Sequence, residues 1–163
     1  MVNPRLELTE APSILINSRN SMVDGPIMAD ETDYRVYALV RDDVRSLVED
    51  SGKPAAQAMH AQSASMKRVY CNKQWGDEWA NLYDQWLNQC EGDFGTVIVL
   101  KVPMEEIYGL TKALVSNPTG IIHDPSFPII DGSVGTTMPL DTCGWIFGDA
   151  NHLAPYIGHY ELL

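Results

Sequence analysis

Nowhere do the 163 residues hold the roughly 18 consecutive apolar positions that a membrane-spanning helix requires. The opening Met1-Val2-Asn3-Pro4-Arg5 lacks the basic-then-apolar layout of a secretory leader. These absences set the expectation of a cytoplasmic protein with no membrane partner. Cysteine is scarce: Cys71, Cys90 and Cys143 are odd in number, far apart and without a CxxC pair. That excludes a disulfide framework and a zinc ribbon, and leaves free thiols in a reducing compartment. The histidines show no ligand spacing with the cysteines, so neither a metal nor another cofactor is expected. Positive charge is also short, with 11 Lys and Arg against 22 Asp and Glu and a formal net charge of −11. A generic nucleic-acid binder shows the opposite balance, so a nucleic-acid partner would need a local basic patch. The sequence has no internal repeat, linker or low-complexity tract.

What is present fits one domain with a substantial core. Residues 1 to 32 have no sustained hydrophobic period and are broken by Pro4, Pro12, Gly25 and Pro26. They read as an N-terminal arm preceding a domain over 33–163, with Ile14 to Ile16 as a candidate edge strand. Tyr34 to Arg41 is a near-continuous apolar run, the pattern of a strand covered on both faces. Pro54 to about Tyr70 is helical, with Pro54 suited to the first turn. Ala56, Met59, Ser63, Met66 and Tyr70 step by 3 and 4 and define its expected packing face.

Asp77 to Cys90 is a second helix, its stripe Trp79, Leu82, Trp86 and Cys90 reading as core, with a stacking platform for bases as the alternative. Thr96 to Val102 is a second buried strand. Pro103 opens a third helix that faces inward with Ile107, Leu110 and Leu114. Ile121 to Asp124 is a short strand, Pro125 to Leu140 a long loop, and Thr142 to Gly148 the last main strand. His152 to Ile157 is a short helix. This order predicts an α/β fold, a three-layer α/β/α arrangement with a mixed sheet of about four strands.

Three side chains fall where such a sheet places a site. Lys53 lies at the first strand-to-helix turn, Asp124 at a strand end and Thr142 at a strand start. None is a nucleophile with an adjacent base. A cation, a carboxylate and a hydroxyl can instead orient water and stabilise an oxyanion during ester hydrolysis. Gly52-Lys53 is not a phosphate-binding loop, since the following Ser or Thr is missing.

Val40-Arg41-Asp42 followed by Gly52-Lys53-Pro54-Ala55-Ala56-Gln57-Ala58-Met59-His60-Ala61 resembles the opening signature of type 2 peptidyl-tRNA hydrolases. Gly95 to Val102, Ile122-His123-Asp124, Thr142-Cys143 and Gly158-His159-Tyr160-Glu161-Leu162 are similar, in order, to later blocks of that family. The resemblance covers about residues 34 to 163. It implies a mixed four-stranded sheet flanked by helices, an often dimeric assembly, and metal-independent cleavage of the ester between a peptide and tRNA. Lys53, Asp124 and Thr142 would be catalytic, with Gln57, His60, Arg41 and Ser126 meeting the substrate. On that analogy Lys53 stabilises the developing charge, Asp124 orients Lys53 or a water, and Thr142 holds that water or the ester. The chain departs from the family in having Asp124-Pro125-Ser126-Phe127-Pro128 where Ala-Gly-Arg-Thr-Gln follows the aspartate, and Glu49-Asp50-Ser51 before Gly52. These departures frame the alternative: an inactive binding protein on the same fold that recognises a protein or small ligand through the 125–140 loop.

Overall fold

The computed structural model describes residues 32–43, 52–90, 92, 94–128 and 136–163. The expected N-terminal arm, apart from Thr32, and the strand expected at Ile14 to Ile16 lie outside the described residues. Strand β1 is Tyr34–Arg41 and helix α1 is Gly52–Ser65, which runs on as a π-helical stretch over Met66–Cys71. Helix α2 (Asp77–Leu87), β2 (Val97–Val102), α3 (Met104–Ala113), β3 (Thr119–Pro128), β4 (Thr137–Asp149), α4 (Ala150–Ile157) and β5 (Glu161–Leu162) follow. The fold is α/β with a mixed sheet of five strands in the order β3-β4-β1-β2-β5. β1 pairs parallel with β2, and every other pairing is antiparallel.

β1 is central because its whole middle is apolar. Val36, Ala38, Leu39 and Val40 are fully buried, and Tyr37 nearly so. Alternation then assigns the two faces. Val36, Ala38 and Val40 pack with Ala58 and Ala61 of α1 and Tyr83 and Trp86 of α2. Tyr37 and Leu39 pack with Ile107 and Leu110 of α3 and with Leu153 and Ile157 of α4. Helices cover both faces, which gives the three layers that an unbroken hydrophobic strand requires.

Four elements differ from the sequence reading. The packing face of α1 is Pro54, Gln57, Ala58, Ala61 and Ser65, while Met59 is 69% exposed. Close approach to a sheet selects the smallest side chains, and the bulkier methionines are left on the outside. In α2 the buried set is Ala80, Tyr83 and Trp86, so the stripe is rotated away from Trp79 and Leu82, which are half-buried.

The third difference concerns the stretch 125–140. β3 continues to Pro128 and β4 begins at Thr137, so the expected loop contracts to the segment between them. The prolines are accommodated because β3 is the sheet edge and its register with β4 shifts between Asp124 and Phe127. Thr142 is therefore inside β4 rather than at its start. Fourth, the chain end adds β5, with Leu162 opposite Leu100 and Leu163 N–H donating to Val99 O at 3.0 Å.

The aromatic core between α2 and the sheet centres on Phe147, whose ring lies 4.8 Å from Tyr83, 5.9 Å from Trp86 and 6.0 Å from Trp79. Trp86 Nε1 donates to Thr96 O at 3.0 Å, which satisfies its buried polar atom. The indole packs against Gly95, where an added Cβ would come within 2.0 to 2.4 Å of ring atoms. Gly95→Ala is expected to push Trp86 off Phe147 and cost about 1–3 kcal/mol as an overpacking change. A urea unfolding midpoint unchanged from wild type would contradict this packing.

Candidate functional site

Helix α1 carries the polar residues of interest at steps of four and three, so Lys53, Gln57 and His60 share one flank. That flank lies over the β3–β4 pair. Gln57 is 2% exposed and accepts a hydrogen bond at Oε1 from the Thr142 hydroxyl, itself fully buried. The Gln57 carbonyl also accepts from Cys143 Sγ at 3.3 Å. Burial pushes the Cys143 thiol up to about 12, so it stays protonated and acts as a donor.

Two consecutive strand residues reaching the same helix is anomalous for a pleated strand, and the register explains it. Ile122 pairs with Cys143, whereas His123 pairs with Asp141, which leaves Thr142 as an extra residue on β4. This bulge turns the Thr142 side chain to the α1 side together with Cys143. Asp141 faces the opposite way, to α3, where its Oδ2 accepts from Tyr108 Oη.

Next to the bulge lies a polar cleft of about 330 Å³ lined by His60, Ile122, His123, Asp124 and Pro125. The structure thus brings Gln57 to Thr142, and His60 to Asp124. Lys53 is half-buried one turn before Gln57 and forms no hydrogen bond or ion pair among the described residues. Asp124 uses Oδ1 to accept the Ser126 N–H at 3.0 Å, a local turn contact, and the exposed Ser126 contributes backbone rather than hydroxyl to it. Among the described residues no three His, Cys, Asp or Glu side chains are grouped as metal ligands, and no helix is long and apolar enough to cross a membrane.

Arg41 is engaged within the protein. Its Nε and one terminal nitrogen donate to the two Asp43 oxygens at 2.5 and 2.7 Å, and the other terminal nitrogen donates to Asp141 O at 2.9 Å. The bidentate pair raises the guanidinium above its ordinary value and holds the Asp43 carboxyl below the usual range. Arg41 thus braces the end of β1 against β4, a positioning geometry rather than an open anion site.

Three residues of this corner escape the sequence reading: Tyr108, Asp141, and His123 as a partner of Asp141. His123 Nδ1 and Asp141 Oδ1 are 2.8 Å apart. The Tyr108 hydroxyl, then desolvation in the opposite sense, and then His123 act on the Asp141 carboxyl, with a net downward shift. A helix and two strands converge here, and only the β3–β4 register could have foretold it. On the other flank of α1, Met59, Met66, Phe94, Val97 and Val99 line a larger apolar groove of about 500 Å³. It holds no titratable side chain.

A carboxyl whose folded pKa is lowered adds stability above its unfolded pKa, about 4, and that stability is lost as pH falls through the folded value. Asp141→Asn removes this component. Its unfolding free energy is expected to fall less steeply than that of wild type below about pH 4, with the two curves offset at neutral pH. Parallel acid limbs in equilibrium unfolding would contradict the assigned contacts of Asp141. Compared with protein-family models and with curated proteins, the chain matches none; the functional reading therefore rests on the residues themselves.

Proposed function

We propose that the protein hydrolyses the ester between a peptide, or an N-blocked amino acid, and tRNA without a metal, in the manner of the type 2 peptidyl-tRNA hydrolases that its sequence resembles. The observation that carries the reading is the seating of α1. Its Gln57 meets Thr142, 85 positions away in sequence, and its His60 lines the Asp124 cleft, with Lys53 one turn before Gln57 on the same flank. The five-stranded mixed sheet with helices on both faces agrees with the α/β fold the resemblance implies.

In this reading the ester lies in the cleft and Lys53, free of any described carboxylate, stabilises the oxygen that becomes negative. Gln57 and Thr142 are too buried to act on bulk substrate. They hold the helix start in place. Asp124 fixes the turn that forms the outer wall. The tRNA phosphates meet a chain of net charge −11, so binding depends on few cations and responds to salt with a shallow slope for a nucleic-acid enzyme.

A binding role without turnover is favoured by one observation, the commitment of Asp124 to Ser126 rather than to Lys53. The two readings separate on a single assay. With purified N-blocked aminoacyl-tRNA, wild type is expected to release free tRNA. Lys53→Ala is expected to be slower by about 10²–10³ in kcat, or about 2.7–4 kcal/mol of barrier. Binding of the substrate with no release by folded wild-type protein would sink the hydrolase reading. Equal rates for wild type and Lys53→Ala would move the oxyanion site elsewhere.

A further inference from the structure

We infer that His123 is the general base of this site and that Asp141 is the positioning residue that aims it. The inference rests on the ester-hydrolase reading and extends it to a residue pair to which the resemblance gives no role. Asp141 is held from three sides: Oδ2 by Tyr108 of α3, its backbone carbonyl by Arg41 of β1 at 2.9 Å, and Oδ1 by His123 of β3 at 2.8 Å. Its orientation is therefore set before the imidazole is added. His123 is its direct cross-strand partner, placed there by the register shift that makes Thr142 the extra residue.

An anionic carboxylate at Nδ1 fixes the proton on that nitrogen and leaves the Nε2 lone pair outward. His123 is exposed, lines the polar cleft with His60 and Asp124, and its Nε2 has no partner among the described residues. The cleft volume of about 330 Å³ falls within the range of small-molecule sites. A carboxylate that orients an imidazole at the edge of a cleft is the arrangement that activates water or a hydroxyl in hydrolytic sites on unrelated folds.

In the step this geometry serves, a water oxygen bonds to the ester carbonyl carbon as one of its protons passes to His123 Nε2. The carbonyl oxygen becomes the anion. Collapse reforms the carbonyl and breaks the bond to the ribose oxygen, which takes the proton from Nε2 and leaves as a hydroxyl. The products are a free carboxylic acid and a tRNA 3′ end, and His123 is returned neutral. Asp141 stays ionised throughout. The charged and titratable groups facing His123 are Asp141 from β4, Asp124 from its own strand and His60 from α1, with Tyr108 and Arg41 behind Asp141.

The test is the pH dependence of kcat on N-blocked aminoacyl-tRNA for wild type, His123→Gln, His123→Ala and Asp141→Asn, with p-nitrophenyl acetate as a second ester and circular dichroism to confirm folding. Wild type is expected to show a rising limb with a single ionisation. His123→Gln is expected to lose that limb and about 10²–10⁴ in kcat with little change in KM, and added imidazole to restore part of the rate in His123→Ala. The ¹⁵N shifts of neutral His123 should report the Nδ1–H tautomer in wild type and lose it in Asp141→Asn. A wild-type rate and limb in folded His123→Gln would overturn the assignment, as would an Nε2–H tautomer in wild type. Turnover of the acetate ester alone, dependent on His123, would keep the dyad and remove tRNA as its substrate; turnover of neither ester would overturn the dyad.

Discussion

A buried glutamine amide and a buried threonine hydroxyl meet between helix α1 and strand β4, and the geometry of the site depends on that meeting. Gln57 and Thr142 are both at or below 2% exposure. A polar group left unpaired at such depth costs about 1–3 kcal/mol, so α1 has one favourable seat on the sheet. Sliding the helix by one residue would strand both groups and swap the small face of Ala58 and Ala61 for Met59. The bulge at Thr142 is what brings the hydroxyl to the helix at all, since an unbulged strand would turn residue 142 the other way.

From that seat the rest of the corner follows. The flank of α1 that carries Gln57 also carries Lys53 and His60, and His60 lines the cleft. The same bulge sets His123 opposite Asp141, and the opposite facing of Asp141 gives it to Tyr108 on α3. One register irregularity thus serves two layers of the fold: on one side it anchors a helix, and on the other it assembles a carboxylate–imidazole pair. Arg41 closes the corner by tying the end of β1 to Asp43 and to the backbone of Asp141.

The layered α/β class, the central β1, β2 and the inward face of α3 were legible in sequence because long apolar runs and a clear 3–4 spacing leave few alternatives. The face of α1 was not, because a helix of Ala, Ser and Gln has almost no hydrophobic contrast, and the methionines that supply contrast lie outside. The strand content of 125–140 was hidden by Pro125, Pro128 and Pro139, which signal a loop unless the strand is an edge with a shifted register. β5 is only Glu161–Leu162 and has no pattern of its own. Of the site, Lys53, Gln57 and His60 were legible together because they belong to one helix. Asp124 and Thr142 were read as a strand end and a strand start, but both lie inside strands, and their partners were not legible. The pairing of His123 with Asp141 was invisible, because it is created by a register shift that no local residue preference encodes.

A double-mutant cycle on Gln57→Ala and Thr142→Val, read in both unfolding free energy and tRNA release, tests most directly whether this contact organises the site. Coupling of about 1 kcal/mol or more is expected in unfolding, and the double variant is expected to release tRNA no more slowly than the worse single variant. Effects that add to within about 0.3–0.5 kcal/mol in both readouts would show two independent residues, and would contradict the seating of α1 on the β4 bulge as the basis of the site.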